Sequence, residues 1–164
     1  MSVLRELEVR DAQAMLECMS DKDVNQFMRI DGTKMQLNDC INFINHSNNM
    51  DNINFAIVNE IDMWVGTISL KNIDREVGQA EYAIITSKNA HGTGIAFKAT
   101  KEILSYAFDE LNLKRVYLNV IEDNIRANKF YKKVGFEYEG TFRCAIKVKG
   151  KIYNLNWYSI INKG

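Results

Sequence analysis

A short apolar run, Tyr82-Ala83-Ile84-Ile85, is followed closely by His91-Gly92-Thr93-Gly94-Ile95-Ala96, which opens a long amphipathic stretch. This is the pattern of a strand entering a helix through a glycine-rich turn. Two glycines at such a junction let the backbone approach a ligand and leave amide groups pointing outward. The helix dipole adds a preference for negative charge, so the junction suits phosphate. On the loop alone two readings stand. Either the glycines merely turn the chain, or they form an anion cradle whose confirmation needs the surrounding sequence.

The length of 164 residues fits one domain over residues 1–164, large enough to bury a core. The charges balance at 21 basic and 21 acidic residues, without the basic excess of a nucleic-acid binder. The expectation is therefore no nucleic-acid partner. No apolar run approaches the length of a membrane span, and the charged start MSVLRELEVRD is not a signal peptide. Cys18, Cys40 and Cys144 lack metal-type spacing and read as reduced thiols, which points to a cytoplasmic protein. With only His46 and His91 available, a histidine-built metal site is not expected.

Val3 to Val9 alternates as a first strand, and Asp11 is placed to cap a helix carrying Ala12, Met15, Leu16 and Met19 on one face. Ser20 to Asp23 breaks that helix. Short helices are expected over Val24 to Met28 and Gln36 to Asn45. Phe55 to Val58 and Met63 to Leu70 read as a hairpin, with a turn over Asn72 to Gly78 before the strand Ala80 to Thr86. Ala83, Ile84 and Ile85 are apolar on both faces, which places that strand centrally. A helix is expected from Ile95 to Leu111, ended by Asn112, then a strand from Lys114 to Ile121. Asn124 to Val134 reads as a helix capped by Asp123 or Asn124 and stopped by Gly135. Phe136 to Phe142, Arg143 to Val148 and a last stretch after Gly150-Lys151 read as strands. The order predicts a mixed α/β sheet with helices packed on it.

Three segments now act together: Glu81 to Thr86, His91 to Ala96, and Asn124 to Phe136 with its pattern Asn-x-Arg-Ala-x-x-Phe-Tyr-x-x-x-Gly-Phe. With them the chain resembles the GNAT superfamily of acetyl-CoA-dependent N-acetyltransferases over nearly its whole length. It looks most similar to the branch of the RimJ/RimL-type ribosomal-protein and amino-sugar acetyltransferases, as in Arg10-Asp11 to Phe27-Met28 and Glu139-Gly140 to Tyr158.

The resemblance implies the acyl-CoA N-acyltransferase fold, in which the strands carrying Glu81 to Thr86 and Lys114 to Ile121 splay apart. It implies acetyl-CoA as co-substrate and no metal. Backbone amides of His91, Gly92, Thr93, Gly94, Ile95 and Ala96 would hold the pyrophosphate, and Ile84, Ile85 and Thr86 the pantetheine arm. Asn119, Asn124 and Arg126 complete the implied coenzyme site. Asn124 is open to a second role as a plain helix cap. His91 departs from the Arg or Gln usual in the family's loop and is either a coenzyme contact or a solvated turn residue.

An amine attacking a thioester needs a neutral amine, a held carbonyl and a proton for the departing thiolate. By resemblance Tyr131 is the general acid, although a tyrosine on an amphipathic helix is also an ordinary core residue. A backbone amide near Ile85 would hold the carbonyl. The ribosomal relatives' glutamate falls on Asn119, which takes no proton. Glu81 is then the remaining carboxylate for the base, acting through water, or else a salt-bridge partner. A lysine acceptor, with its high pKa, is disfavoured without a strong base, whereas a protein N-terminal α-amine or an amino sugar needs less help. Trp64, Phe27, Met28, Trp157 and Tyr158 either line an acceptor groove or pack in the core. Arg29 and Arg143 either bind an anionic acceptor or form surface pairs. A non-catalytic acyl-CoA-binding module is the alternative. An exposed face of the last strands is the candidate surface for a homodimer.

Overall fold

The computed structural model describes residues 1–164. Strands β1 (Leu4–Glu6), β2 (Ile53–Val58), β3 (Trp64–Asp74), β4 (Gln79–Thr86), β5 (Arg115–Ile121), β6 (Glu137–Val148) and β7 (Lys151–Ile161) alternate with helices α1 (Ala12–Ser20), α2 (Lys22–Asn25), α3 (Leu37–His46), α4 (Ile95–Ser105) and α5 (Ile125–Val134). The strands form one sheet in the order β1-β2-β3-β4-β5-β7-β6. Only β4 and β5 run parallel, and β4 is the central strand that its two-faced apolar run predicts.

Strand alternation sorts the side chains between two layers. Tyr82 and Ile84 of β4, with Val116, Leu118 and Val120 of β5, face α4 and α5 in the main core. Glu81, Ala83 and Ile85 therefore face the other way. On that side Ile85 packs on a smaller core made by α1 and α3 around Met15, Cys18, Cys40 and Trp64.

The feature that positions the site is a fork in the sheet. Gln79, Ala80 and Glu81 pair with Arg115, Val116 and Tyr117, and there the parallel ladder ends. Beyond it each strand is held only on its outer side. Thr86 still pairs with Gly66 of β3, and Ile121 still pairs with Leu155 of β7. The inner edges of β4 and β5 face one another without a ladder between them.

Several elements differ from the sequence reading. β1 is shorter, because Leu7 onward breaks away to start α1. Asp11 does not cap α1 through its side chain; it is buried and takes a two-pronged contact from Arg5, at 2.8 and 2.9 Å. The second helix lies over Lys22–Asn25 rather than Val24 to Met28, because Asp21 caps it by accepting from the Asp23 amide. β3 runs on to Asp74, into the stretch read as a turn. The helix read as Ile95 to Leu111 is α-helical to Ser105 and widens to a π turn over Tyr106–Glu110. The two strands read across Phe136 to Val148 are one long strand with bulges against β7.

Candidate active site

β4, the loop after it, and α5 enclose a cleft of about 650 Å3 at the open end of the fork, within the size range of small-molecule sites. One wall is Ile84, Ile85 and Thr86, the rim is Ala90 to Gly94, and the other wall is Asn124, Arg126, Ala127, Phe130, Tyr131 and Lys133.

The rim is built by its glycines. Gly92 and Gly94 have φ of 77° and 80°, a left-handed geometry that a side chain disfavours. Thr93 braces the turn, its hydroxyl donating to the Ala90 carbonyl at 2.6 Å and accepting from the Ile95 amide. This leaves the amides of Gly92, Gly94, Ala96 and Phe97 without an acceptor in the protein, clustered at the N-terminus of α4. Four free donors on a helix start make an anion cradle.

α5 presents its functional face through local capping. Asn124 accepts from the Ala127 amide with its side-chain oxygen, and Gly135 closes the other end in the left-handed region. Asn128, one turn on, is buried. Its amide donates to the carbonyls of Ile121 and Asn124, and its oxygen accepts from Tyr158 at 2.7 Å and Asn156 at 2.9 Å. This single side chain locks α5 to the ends of β5 and β7.

Tyr131 then falls on the α5 wall of the cleft. Its ring is wedged edge-on between Tyr82 and Phe136, each with its centroid 5.9 Å away. In this aromatic cluster Tyr82 spends its hydroxyl on Thr100 and Tyr158 spends its own on Asn128, while Tyr131's hydroxyl has no partner in the protein. Its ring is buried while its hydroxyl lines the cleft without a protein partner, so the hydroxyl is free to bond a ligand there. Burial pushes its pKa up to about 12, so it stays a proton donor throughout the physiological range.

The cleft is cationic at its rim despite the neutral chain. Arg126 and Lys133 lie on α5, with Phe130 between them at helical spacing. Arg126 donates to Nδ1 of His91 at 2.8 Å, spanning from α5 to the glycine rim. Partial burial and the Arg126 charge together lower the His91 pKa from its ordinary value. His91 is therefore neutral near pH 7.

Other sequence-marked residues lie elsewhere. Glu81 occupies the last register pair before the fork opens, on the sheet face opposite Tyr82, where it accepts from Asn72 at 3.2 Å and pairs with Lys71 at 3.8 Å. Asn119 is on that same face, paired in register with Trp157. Neither lines the cleft. Trp64 and Tyr158 are core residues, Phe27 packs edge-on against Tyr153, and Arg29 and Arg143 are exposed. Asp23, Val24, Phe97 and Lys133 line the cleft although nothing in the sequence pattern marks Asp23 or Val24; the spacing of Arg126, Phe130 and Lys133 was the available signal for the last.

Comparison with known proteins agrees with this geometry. Residues 2–137 match the Acetyltransferase (GNAT) domain. An uncharacterized N-acetyltransferase of Bacillus licheniformis, p20, is 30% identical over 164 residues, spanning 98% of this chain and 92% of its own. Spermidine N(1)-acetyltransferase of Escherichia coli K12 is 35% identical over 89 residues, 54% of this chain and 48% of that protein. The crystal structure of spermidine N-acetyltransferase from Vibrio cholerae in complex with CoA and spermine shares the fold, with a TM-score of 0.86 at 22% identity over 96% of this chain and 94% of that one. With its forked sheet, its glycine-rimmed cleft and a domain match spanning most of its length, the chain belongs to the GNAT family of N-acetyltransferases.

Proposed function

We propose that the cleft binds acetyl-CoA and that the chain transfers its acetyl group to a small-molecule primary amine. The observation that carries this reading is Tyr131: a side chain packed among aromatic rings whose hydroxyl has no partner in the protein, lining the same cleft as the anion cradle and the unpaired edge of β4. The residues present fit the coenzyme. The free amides of Gly92, Gly94, Ala96 and Phe97 match a pyrophosphate, Arg126 and Lys133 add charge, and the inner edge of Ile84 to Thr86 offers the pantetheine amides a strand to pair with. Acetyl-CoA supplies the acyl thioester and a thiolate leaving group.

The chain's own groups supply the rest. A backbone amide of β4 near Ile85 donates to the carbonyl oxygen as charge develops on it. Tyr131 holds a proton at Oη, from which it would be delivered to the departing sulfur. Asn124 orients the cleft wall and keeps its amide nitrogen available for the coenzyme. Glu81, at the apex of the fork on the opposite face, receives the amine's proton through water. The acceptor then approaches from the face carrying Glu81, Tyr117 and Trp157, where two aromatic rings stack with centroids 6.2 Å apart beside the carboxylate. A small amine suits that approach, and the relatives named for spermidine acetylation support this acceptor class.

The test is coenzyme A release from acetyl-CoA with spermidine, amino sugars and N-terminal peptides as acceptors. Release with one of the small amines, lost in Tyr131→Phe, is expected. Tight acetyl-CoA binding with no release for any amine would instead make the chain an acyl-CoA-binding module.

A further inference from the structure

The contact between His91 and Arg126 joins the rim of the cleft to its α5 wall. Arg126 has donors only, so His91 Nδ1 accepts, and its proton sits on Nε2. The free amides of Gly92 and Gly94 lie on the same loop as His91, and those of Ala96 and Phe97 in the first turn of α4, within the same cleft as Arg126. We propose that His91 is a proton-coupled specificity residue for the coenzyme: a phosphate held at the rim draws Arg126 to itself, His91 takes up a proton in exchange, and the affinity for the coenzyme rises as pH falls. The inference rests on the coenzyme placement proposed above.

The charge logic has one direction. A neutral imidazole can accept from Arg126, but an imidazolium beside a guanidinium is repelled. The contact therefore favours the neutral ring, and burial, with the Arg126 charge after it, holds the His91 pKa below its ordinary value. A phosphoanhydride reverses both terms: it offers Arg126 a better acceptor and gives the imidazolium an anion to pair with. The ligand thus binds the protonated form more tightly, and affinity must increase on acidification between the free and bound pKa values.

The other charged groups around the ring are Lys88 on the turn before the loop, Asp21 and Asp23 at α2, and Lys133 further along α5. Lys88 is raised by its bonds to Asp23 and Asp21. Desolvation pushes Asp21 up, but the Asp23 amide and Lys88 outweigh it and hold it below the usual carboxylate value. Neither Lys88 nor Asp21 changes state in the range where His91 titrates.

Dephospho-coenzyme A is the probe, because it lacks the 3′-phosphate, whose own titration near pH 6 would mimic the effect. Its affinity for the whole chain is measured by calorimetry at about pH 7.5 and 5.5, with two buffers of different ionisation heat between them to count protons. The expected result is net proton uptake and a gain of about three- to tenfold at the lower pH, a one-unit pKa shift setting the upper end. His91→Gln keeps an acceptor for Arg126 but no titrating ring, and should show no gain. Arg126→Ala removes the neighbouring cation and should move the gain to higher pH. An equal pH response in His91→Gln and the unaltered protein overturns the proposal, as does the absence of proton uptake. Failure of the unaltered protein to bind the probe at either pH overturns the coenzyme placement and this inference with it.

Discussion

Tyr131 is the side chain on which the proposed acid role rests. Its ring is held from several sides by Tyr82, Phe130, Phe136 and Tyr158, so removing the hydroxyl alone leaves the packing intact. Tyr131→Phe should lower turnover by about 100-fold or more, the usual worth of a positioned acid, with little change in coenzyme affinity or melting temperature. Steady-state kinetics beside thermal denaturation check this; equal turnover removes the acid role. Gly94 makes the complementary case on the donor side. No atom lies within 4 Å of an added Cβ, so steric room is not the issue, but its φ of 80° is hostile to a branched side chain. Gly94→Val should cost about 1–2 kcal/mol of local strain and rearrange the amides around it. Acetyl-CoA affinity should then fall about tenfold or more, a loss of 1.4 kcal/mol or more. At this scale the glycine turn was legible from its spacing, whereas Tyr131 was marked only by the resemblance, since a tyrosine on an amphipathic helix reads equally as core. The side of the sheet on which Glu81 falls was not legible. Ala83, Ile84 and Ile85 are apolar on both faces, so nothing in the strand says which face meets α5.

At the scale of the element, α5 matters because it carries Tyr131 and Arg126 and is fixed by Asn128. That asparagine satisfies carbonyls of β5 and of α5's own first turn while accepting from two residues of β7. Asn128→Ala strands several of these groups at once in a buried setting, and the destabilisation should reach about 2–4 kcal/mol. A fall in melting temperature of about 5–15 °C is the corresponding readout in a domain of this size. Asn124→Ala removes one cap bond and should cost only about 1 kcal/mol. The contrast between the two, read in one thermal series, tests whether Asn128 rather than the cap anchors the helix. Helix limits were largely readable from caps and stops such as Asn124 and Gly135, because those signals are local. The role of Asn128 was not readable, because its partners Asn156 and Tyr158 come from a strand far along the chain. β6 was read as two strands for a related reason: the bulges against β7 are set by pairing, which a single strand's pattern does not show.

At the scale of the molecule, periodicity predicted a mixed sheet with a central β4, but no periodicity announces a fork. A fork is an absence of pairing between two strands that each look sound alone, and only the resemblance to a forked family suggested it. What keeps the whole sheet in shape on the side away from the fork is partly electrostatic. Arg5 on β1 grips Asp11 at the head of α1 with two bonds and reaches Asp62 in the β2–β3 hairpin at 2.8 Å, so one guanidinium ties three elements together. Burial alone would push the Asp11 pKa up, but the Arg5 guanidinium and the Glu8 amide outweigh it and hold the carboxyl below its ordinary value. Because the folded value is depressed, the contribution is fully present above the unfolded carboxylate pKa and drains away as pH falls through the folded one. Acid should therefore weaken the fold from about pH 4 downward. Asp11→Asn keeps the shape and removes the charge from a side chain only 3% exposed. It should cost about 2–4 kcal/mol at neutral pH, since Arg5 is left facing a neutral amide in a buried pocket. Below the folded pKa the aspartate is itself neutral, and the two proteins should converge. Urea unfolding of both across the acid range measures this, and a stability gap that persists unchanged to the lowest pH would show that shape, rather than charge, makes Asp11 matter.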